Sequence, residues 1–343
     1  MKSLIVSVVM ALFCFSVSAQ SFPKEQEKVV MVIHGGAGTI LRSQMSPERE
    51  KAYQDALREA LTRGYNILKN GGSALDANEA AIRYMEDSPL FNAGKGAVFT
   101  NEGKNELDAA VMDGSTLKAG SVAGLTTVKN PITLARAVME KSPHVMMIGG
   151  GAEKFAKEQG LEIVDPSYFR TEDRWRGLQR AKREDSLKAV EGKTGRVLQP
   201  ENKDYKYGTV GAVSLDKKGN LAAATSTGGM TNKKYGRVGD VPVIGAGTYA
   251  NNNTCAISCT GWGEFFIRLV VAKSVSDLIE LKGMSVQEAA DKLVMKDVPK
   301  LGGDGGLIAL DKNGKFSMPF CTEGMYRGYV TESGKIVIAI YKD

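Results

Sequence analysis

An abrupt change of character at Gly208-Thr209 governs how the rest of the chain can be arranged. Upstream, residues 182–206 are charged and carry little apolar periodicity, the pattern of a mobile linker. From Thr209 the residues are small, β-branched or apolar, and after the turn Asp216-Lys-Lys-Gly219 a second such run covers 220–227. Asp, Lys and Gly there suit a short hairpin loop. Antiparallel pairing about that loop sets residue 209 opposite residues 225–227, so the start of one strand lies beside the hydroxyl cluster ending the other.

A threonine hydroxyl is a weak nucleophile at neutral pH and needs a general base, most often histidine. The chain has only His34 and His144. The alternative base is the threonine's own α-amine, with an ordinary pKa of about 7.7–8.0, once the preceding peptide bond is broken. Glycine at 208 gives the backbone freedom for the Thr209 hydroxyl to reach the preceding carbonyl. A Gly-Thr pair also opens many ordinary strands, so the pair alone decides nothing.

Composition narrows the class. With 43% hydrophobic residues in 343, the chain can build one large or two modest domains. Met1-Lys2-Ser3, an apolar stretch over 4–17 and Ser18-Ala19-Gln20 read as a secretory signal cut after Ala19, or as an uncleaved anchor. The remainder has no run of about 18 apolar residues, so no membrane contact is expected after signal removal and the protein is expected to be secreted or periplasmic. The charge is mildly basic with both signs interspersed and no arginine stripe, which argues against a nucleic-acid partner. Cys255, Cys259 and Cys321 remain in the mature chain without metal-type spacing and point to packing. Thirty-nine glycines, well above the usual share of about 7%, cluster at strand ends.

Along the chain, a buried strand over 29–33 runs into the glycine-rich turn His34-Gly-Gly-Ala-Gly38, which lacks the phosphate-loop pattern. His34 is either an active-site residue or a structural histidine bonded to nearby backbone. A helix from Pro47 carries Tyr53, Leu57, Leu61 and Leu68 on one face, and a second starts at Ser73 with Asp76 at the capping-box position. The irregular stretch 85–100 either wraps a cation with carbonyl oxygens or turns a corner. A strand over 106–113 and helices over 131–139, 152–159 and 172–183 follow. Arg237 and Asp240 are one positive and one negative group, suited to an α-carboxylate and an α-ammonium or to a surface salt bridge. Strands are expected over 243–249 and 254–258, and Thr260-Gly-Trp-Gly263 precedes a helix over 264–273, as oxyanion donors or as a plain cap. A second hairpin over 307–316 repeats the Asp-Lys-x-Gly turn, and a strand over 335–341 closes the chain. The class is α+β, two stacked mainly antiparallel sheets between helix layers.

Six motifs taken together, His34-Gly-Gly-Ala-Gly38, Phe91-Asn-Ala-Gly94, Gly208-Thr-Val-Gly-Ala-Val213, Ala224-Thr-Ser-Thr-Gly-Gly-Met230, Gly236-Arg-Val-Gly-Asp240 and Gly303-Asp-Gly-Gly306, resemble the plant-type L-asparaginase/isoaspartyl peptidase family over nearly all of 29–343. The resemblance implies an N-terminal-nucleophile hydrolase with an αββα sandwich, cut between Gly208 and Thr209 into an alpha subunit 20–208 and a beta subunit 209–343. On matching positions it implies Thr209 as nucleophile supported by Thr227, and Arg237 and Asp240 as binders of the substrate's α-carboxylate and α-amine. Thr260 and Gly261 would form the oxyanion hole, Gly263 would help position the amine, and Asn92 would stand beside the nucleophile. Backbone carbonyls of Met85, Glu86, Ser88, Phe91, Ala93 and Lys95 would hold a structural sodium ion, with no cofactor for catalysis. The expected substrates are β-aspartyl dipeptides and L-asparagine, and the expected assembly a dimer of alpha-beta heterodimers. Glycosylasparaginases share the catalytic strand but carry Asp-Thr at the cut and Thr-Asn-Gly where this chain has Thr227-Gly-Gly229, which favours the isoaspartyl branch over that amidase. A non-catalytic secreted amino-acid-binding protein would keep Arg237 and Asp240 without needing Thr209, Thr227 and Thr260 together.

Overall fold

The structure, a computed structural model, describes residues 28–192 and 208–342. The stretch read as a signal, 1–19, and most of the stretch read as a linker, 193–207, lie outside them. In chain order β1 (Val30–Gly38) leads to α1 (Pro47–Lys69), α2 (Ala74–Asp87), β2 (Leu107–Asp113), β3 (Ala119–Leu125), α3 (Pro131–Lys141), β4 (Met146–Ile148), α4 (Gly149–Glu158) and α5 (Glu172–Gly192). Beyond residue 207 come β5 (Val210–Leu215), β6 (Leu221–Thr227), β7 (Thr248–Ala250), β8 (Cys255–Gly261), α6 (Gly263–Leu269), α7 (Val271–Lys282), α8 (Val286–Asp291), α9 (Val298–Lys300), β9 (Gly305–Asp311), β10 (Phe316–Ser317), β11 (Gly324–Thr331) and β12 (Ile336–Tyr341).

Alternation along the strands creates the layers. Met31 and Ile33 face a core shared with Leu57, Leu61 and Ile82 of α1 and α2, while Val30 and Val32 face a second core with Ile257 and Ile308. Both faces of β1 are therefore buried, which is why residues 29–33 read as one apolar run. The large sheet has the order β12-β11-β1-β5-β6-β2-β3-β4 and the small one β10-β9-β8-β7. All pairs are antiparallel except β3 with β4. With α1, α2 and α3 on the outer face of the large sheet and α7 and α8 outside the small one, the molecule is the expected αββα sandwich. No helix among the described residues is long and apolar enough to cross a membrane.

Local chemistry explains the elements that place the site. Ser46 and Ser73 cap α1 and α2 through side-chain acceptance from Arg49 N and Asp76 N, and Pro47 sits in the first helical turn. Asp216 Oδ1 accepts from Lys218 N and Asn220 N, closing the β5–β6 hairpin, while Oδ2 reaches Ala74 N at the start of α2. Asp311 repeats the device with Asn313 N and Lys315 N. The hairpin register pairs Val210 with Ser226, so residue 209 faces Thr227 as expected.

Four readings need correction. The His34–Gly38 run is no turn: it continues β1 to Gly38, paired with β11 through a bulge between His34 and Gly36. Residues 182–192 are not linker, because α5 extends to Gly192; its exposed face is supported by pairs such as Arg176–Glu172 at 3.0 Å rather than by apolar periodicity. The strand over 243–249 shrinks to β7, since Val243 N bonds Asp240 O and Ala246 N bonds Val243 O in successive turns. The helix over 264–273 breaks at Val270, a left-handed residue with φ 47°, into α6 and α7.

Candidate active site

Thr209 is buried at the head of β5, and its hydroxyl donates to the carbonyl of Gly208 at 2.7 Å. Two further donors meet the same oxygen: Asn92 Nδ2 at 2.9 Å and Thr227 Oγ1 at 3.0 Å. Thr227 in turn lies 3.2 Å from Thr209 Oγ1 and accepts from Gly229 N at 2.9 Å. The Asn92 amide is oriented without ambiguity, because Oδ1 accepts from Val98 N while Nδ2 also donates to Gly229 O. A hydroxyl thus stands against a carbonyl whose oxygen is already polarised by two other donors, the geometry in which a developing oxyanion is stabilised without reorganisation.

Beneath Thr209 runs a chain of fully buried polar groups. His34 Nδ1 donates to the Thr209 carbonyl at 3.1 Å, leaving Nε2 to accept from Ser258 Oγ at 2.9 Å. Ser258 bonds Thr225 at 2.7 Å, and Thr248 donates to Thr225 at 2.7 Å. Burial drives the imidazole down to about 3, against the raising effect of its bond to Thr209, so the ring is neutral. Of the two sequence readings, His34 takes the structural one. A Cβ at Gly211 would overlap Ser258 Oγ and His34 Nε2, which requires glycine there.

Arg237 and Asp240 share a small pocket of about 10 Å³ with Thr209, Thr227, Gly239 and Gly261. Arg237 makes a two-pronged contact with Glu264, Nε to Oε1 at 2.9 Å and Nη2 to Oε2 at 2.8 Å. Glu264 grips one edge of the guanidinium, and the Nη1 end is left against the glycines: a Cβ at Gly239 would approach Nη1 to 2.9 Å. A Cβ at Gly263 would likewise approach Asp240 Oδ1 to 2.8 Å and Arg237 Nη2 to 2.9 Å. Burial raises the Asp240 carboxyl to about 6, opposed by its own backbone and by Arg237. Asp240 Oδ2 is buried and meets no hydrogen-bond donor among the described residues, an arrangement that costs energy unless a ligand completes it.

The remaining candidates fall nearby. Thr260 Oγ1 accepts from Ala37 N at 3.2 Å, tying β8 to the end of β1 and leaving its proton to donate elsewhere; Gly261 reaches the pocket itself. In the loop around Asn92, a Cβ at Gly94 would strike Glu86 O and one at Gly96 would strike Phe91 O, so the loop is wound inward on its carbonyls. Met85 O and Ala93 O accept from Ser88 N and Gly96 N, whereas the carbonyls of Glu86, Ser88, Phe91 and Lys95 accept no hydrogen bond among the described residues. Neutral oxygens on a tight turn, without a His/Cys/Asp/Glu cluster among the described residues, fit a hard cation of low charge.

Sequence reasoning missed Glu264. It reads as an ordinary first-turn acid of α6, and only the fold shows it against Arg237. Cys255 and Cys259 are buried and unpaired, and Cys321 is half-buried, as packing residues would be.

A model of the asparaginase family matches residues 27–340. The isoaspartyl peptidase of Escherichia coli (strain K12) is 52% identical over 316 residues, 92% of this chain and 97% of its own length. The plant-type L-asparaginase of Pyrococcus furiosus is 43% identical over 311 residues, 90% of this chain and 98% of its own. The isoaspartyl peptidase/L-asparaginase of Rattus norvegicus is 43% identical over 297 residues, covering 87% and 84%. With a family match across that span and relatives at this identity over most of the chain, the chain belongs to the plant-type L-asparaginase/isoaspartyl peptidase family.

Proposed function

We propose that the protein is a self-processing hydrolase that releases L-aspartate from β-aspartyl dipeptides and from L-asparagine. The observation that carries this reading is the Thr209 hydroxyl 2.7 Å from the Gly208 carbonyl oxygen, with Asn92 and Thr227 donating to that oxygen. In self-cleavage Thr209 Oγ1 attacks the Gly208 carbonyl carbon and gives up its proton. The oxygen gains negative charge and is held by Asn92 Nδ2 and Thr227 Oγ1. The C–N bond breaks, its nitrogen is protonated, and water hydrolyses the resulting ester, leaving chains 20–208 and 209–343. The released α-amine of Thr209, with its ordinary pKa near neutrality, then serves as base for the same hydroxyl.

For the substrate, the free Nη1 end of Arg237 supports an α-carboxylate site and the unpartnered Asp240 Oδ2, beside Gly263, an α-ammonium site. With both α-groups held, the side-chain carbonyl is the one offered to Thr209, and Thr260 with Gly261 receives the oxyanion. The amine departs, and water releases aspartate from the acyl-enzyme. Ordinary α-linked aspartyl peptides lack the free carboxylate and are excluded. The names of the relatives support the same substrates. The carbonyls of Met85, Glu86, Ser88, Phe91, Ala93 and Lys95 would hold a sodium ion that fixes the loop bearing Asn92; its contribution is structural. The protein is read as secreted or periplasmic from its leader over 1–19, and as a dimer of alpha-beta heterodimers.

The test is intact mass combined with aspartate release from β-Asp-Leu, α-Asp-Leu, L-asparagine and N-glycosylated asparagine, on wild type and Thr209→Ala. Two associated chains and cleavage of β-Asp-Leu and asparagine are expected, with Thr209→Ala uncut and inactive. An active protein of uncut mass, or preference for the α-linked or glycosylated substrate, would sink the reading.

A further inference from the structure

Two cavities meet at Gly208 and share no other lining residue. One is the Arg237–Asp240 pocket. The other, of about 160 Å³, lies on the far side, between the end of β1, α1 and the start of α5. We infer that this second cavity is the subsite for the leaving residue of the dipeptide, with Arg174 and Arg49 gripping its carboxylate. The inference rests on the β-aspartyl reading and deepens it.

The geometry of the reaction leads there. Arg237 and Asp240 fix the aspartyl half, so the departing amine must lie on the opposite side of the acyl carbon bound to Thr209. The second cavity opens at that place: Gly208 and Asn92, whose carbonyl and amide meet beside the Thr209 hydroxyl, both line it. Its volume is right for one residue, since cavities of about 150 Å³ accommodate a benzene ring. Its walls suit an apolar side chain, with Leu41, Met45 and Leu90 beside the Tyr53–Tyr326 stack, whose rings lie 4.0 Å apart.

Its charge is one-sided. Arg49 and Arg174 line the cavity and no Asp or Glu does. Arg174 donates Nε to Gly96 O at 2.7 Å and Nη2 to Leu90 O at 3.2 Å, both neutral carbonyls, so these bonds orient the guanidinium without neutralising it. Arg49 lies against the neutral Tyr53 ring, and its contact with an acid, Asp173, is loose, 3.6 Å apart with side chains 52% and 71% exposed. An anchored, half-buried guanidinium facing a cavity of mixed polarity is suited to a carboxylate. Past Arg49, Leu90 and Arg174 the cavity adjoins a groove of about 410 Å³ that also carries Arg176 and Arg180, which leaves room for a longer peptide. Ammonia, the leaving group of asparagine, uses none of these contacts.

The experiment compares β-Asp-Leu, its C-terminal amide β-Asp-leucinamide and L-asparagine on the cleaved enzyme. Wild type is expected to favour the acid over the amide by roughly tenfold to a hundredfold in kcat/KM, mostly through KM. Arg174→Met should lower the ratio of kcat/KM for β-Asp-Leu over asparagine by a similar factor and erase the acid-over-amide preference. Arg49→Met, on the exposed rim, should erode both less. Equal use of acid and amide by wild type overturns the subsite, and that comparison needs no variant to fold. An unmoved β-Asp-Leu to asparagine ratio in Arg174→Met overturns it as well. Failure of the parent reading looks different: wild type would release aspartate from neither substrate.

Discussion

Replacing Asn92 by alanine tests self-cleavage at the atom where the charge develops. The Gly208 oxygen receives hydrogen bonds from Thr209 Oγ1, Asn92 Nδ2 and Thr227 Oγ1. During attack Thr209 surrenders its proton and stops donating, so two donors remain and Asn92→Ala removes one of them. Loss of one such donor typically slows the step 10²–10³-fold, about 2.7–4 kcal/mol. Alanine keeps the Cβ beside Gly208, and the vacated space can admit a water as substitute donor, so about a hundredfold is expected. The variant also leaves Val98 N without its acceptor, at a cost of about 1–3 kcal/mol in stability. The two effects separate cleanly, because self-cleavage is a first-order step within the folded precursor and its rate is insensitive to stability while the precursor stays folded. Freshly purified precursor is followed by denaturing gel and intact mass as the chain beginning at Thr209 appears, with circular dichroism to confirm folding. A folded Asn92→Ala precursor that cleaves within about threefold of the wild-type half-life would refute the role.

Three other outcomes follow from the same site. Glu264→Gln keeps the shape of the Arg237 contact but removes its charge, so KM for asparagine should rise about tenfold with kcat little changed; steady-state aspartate release checks it, and an unmoved KM would remove Glu264 from the site. Burial raises Asp240 to about 6, and only its carboxylate attracts an ammonium. With the Thr209 amine titrating at about 7.7–8.0, log kcat/KM should climb with a slope near two below about pH 6 and near one above it; a single slope throughout contradicts Asp240 as the ammonium site. His34 is neutral in the fold, at about 3, whereas the unfolded chain takes up this proton below about 6.5. The unfolded state therefore binds more protons at acid pH. Stability from this group is complete above about 6.5 and falls by about 1.4 kcal/mol per unit as pH drops toward 3. Urea melts at pH 7.5, 6 and 5 should show His34→Gln lacking that part of the slope; parallel slopes would contradict it.

What the sequence made legible is what short-range chemistry dictates. The β5–β6 register followed from one aspartate turn, and with it the meeting of Thr209 and Thr227, 18 residues apart. Helix starts followed from Ser46 and Ser73 with their caps. Contacts set by partners far along the chain were not legible. The His34–Gly38 run looks like a turn until β11, about 290 residues later, pairs with it to Gly38. Asn92 reaches Gly208 across 116 residues, and the six-motif resemblance rather than spacing pointed to it. Glu264 carries no local mark, because an acid in a helix's first turn is favoured by the helix dipole whatever lies opposite. The end of α5 was hidden for the converse reason: exposed, charge-paired helices lack the apolar period that betrays buried ones.

The closed pocket gives the cut at Gly208-Thr209 a second consequence. Before cleavage the Gly208 carbonyl sits against Thr209, Thr227 and Asn92, and the space left beside Arg237 and Asp240 is about 10 Å³. That is at the lower limit for one water molecule, whose share of the liquid is about 30 Å³, and far too small for an aspartyl group. On the proposed reading, breaking the bond therefore does two things at once. It releases the amine that activates Thr209, and it takes the Gly208 carbonyl away from that hydroxyl, so that a substrate acyl group can approach it with its oxygen toward Thr260 and Gly261. The uncut chain lacks both the base and the room, so hydrolysis cannot precede processing, and the same hydroxyl serves first an internal carbonyl and then an external one.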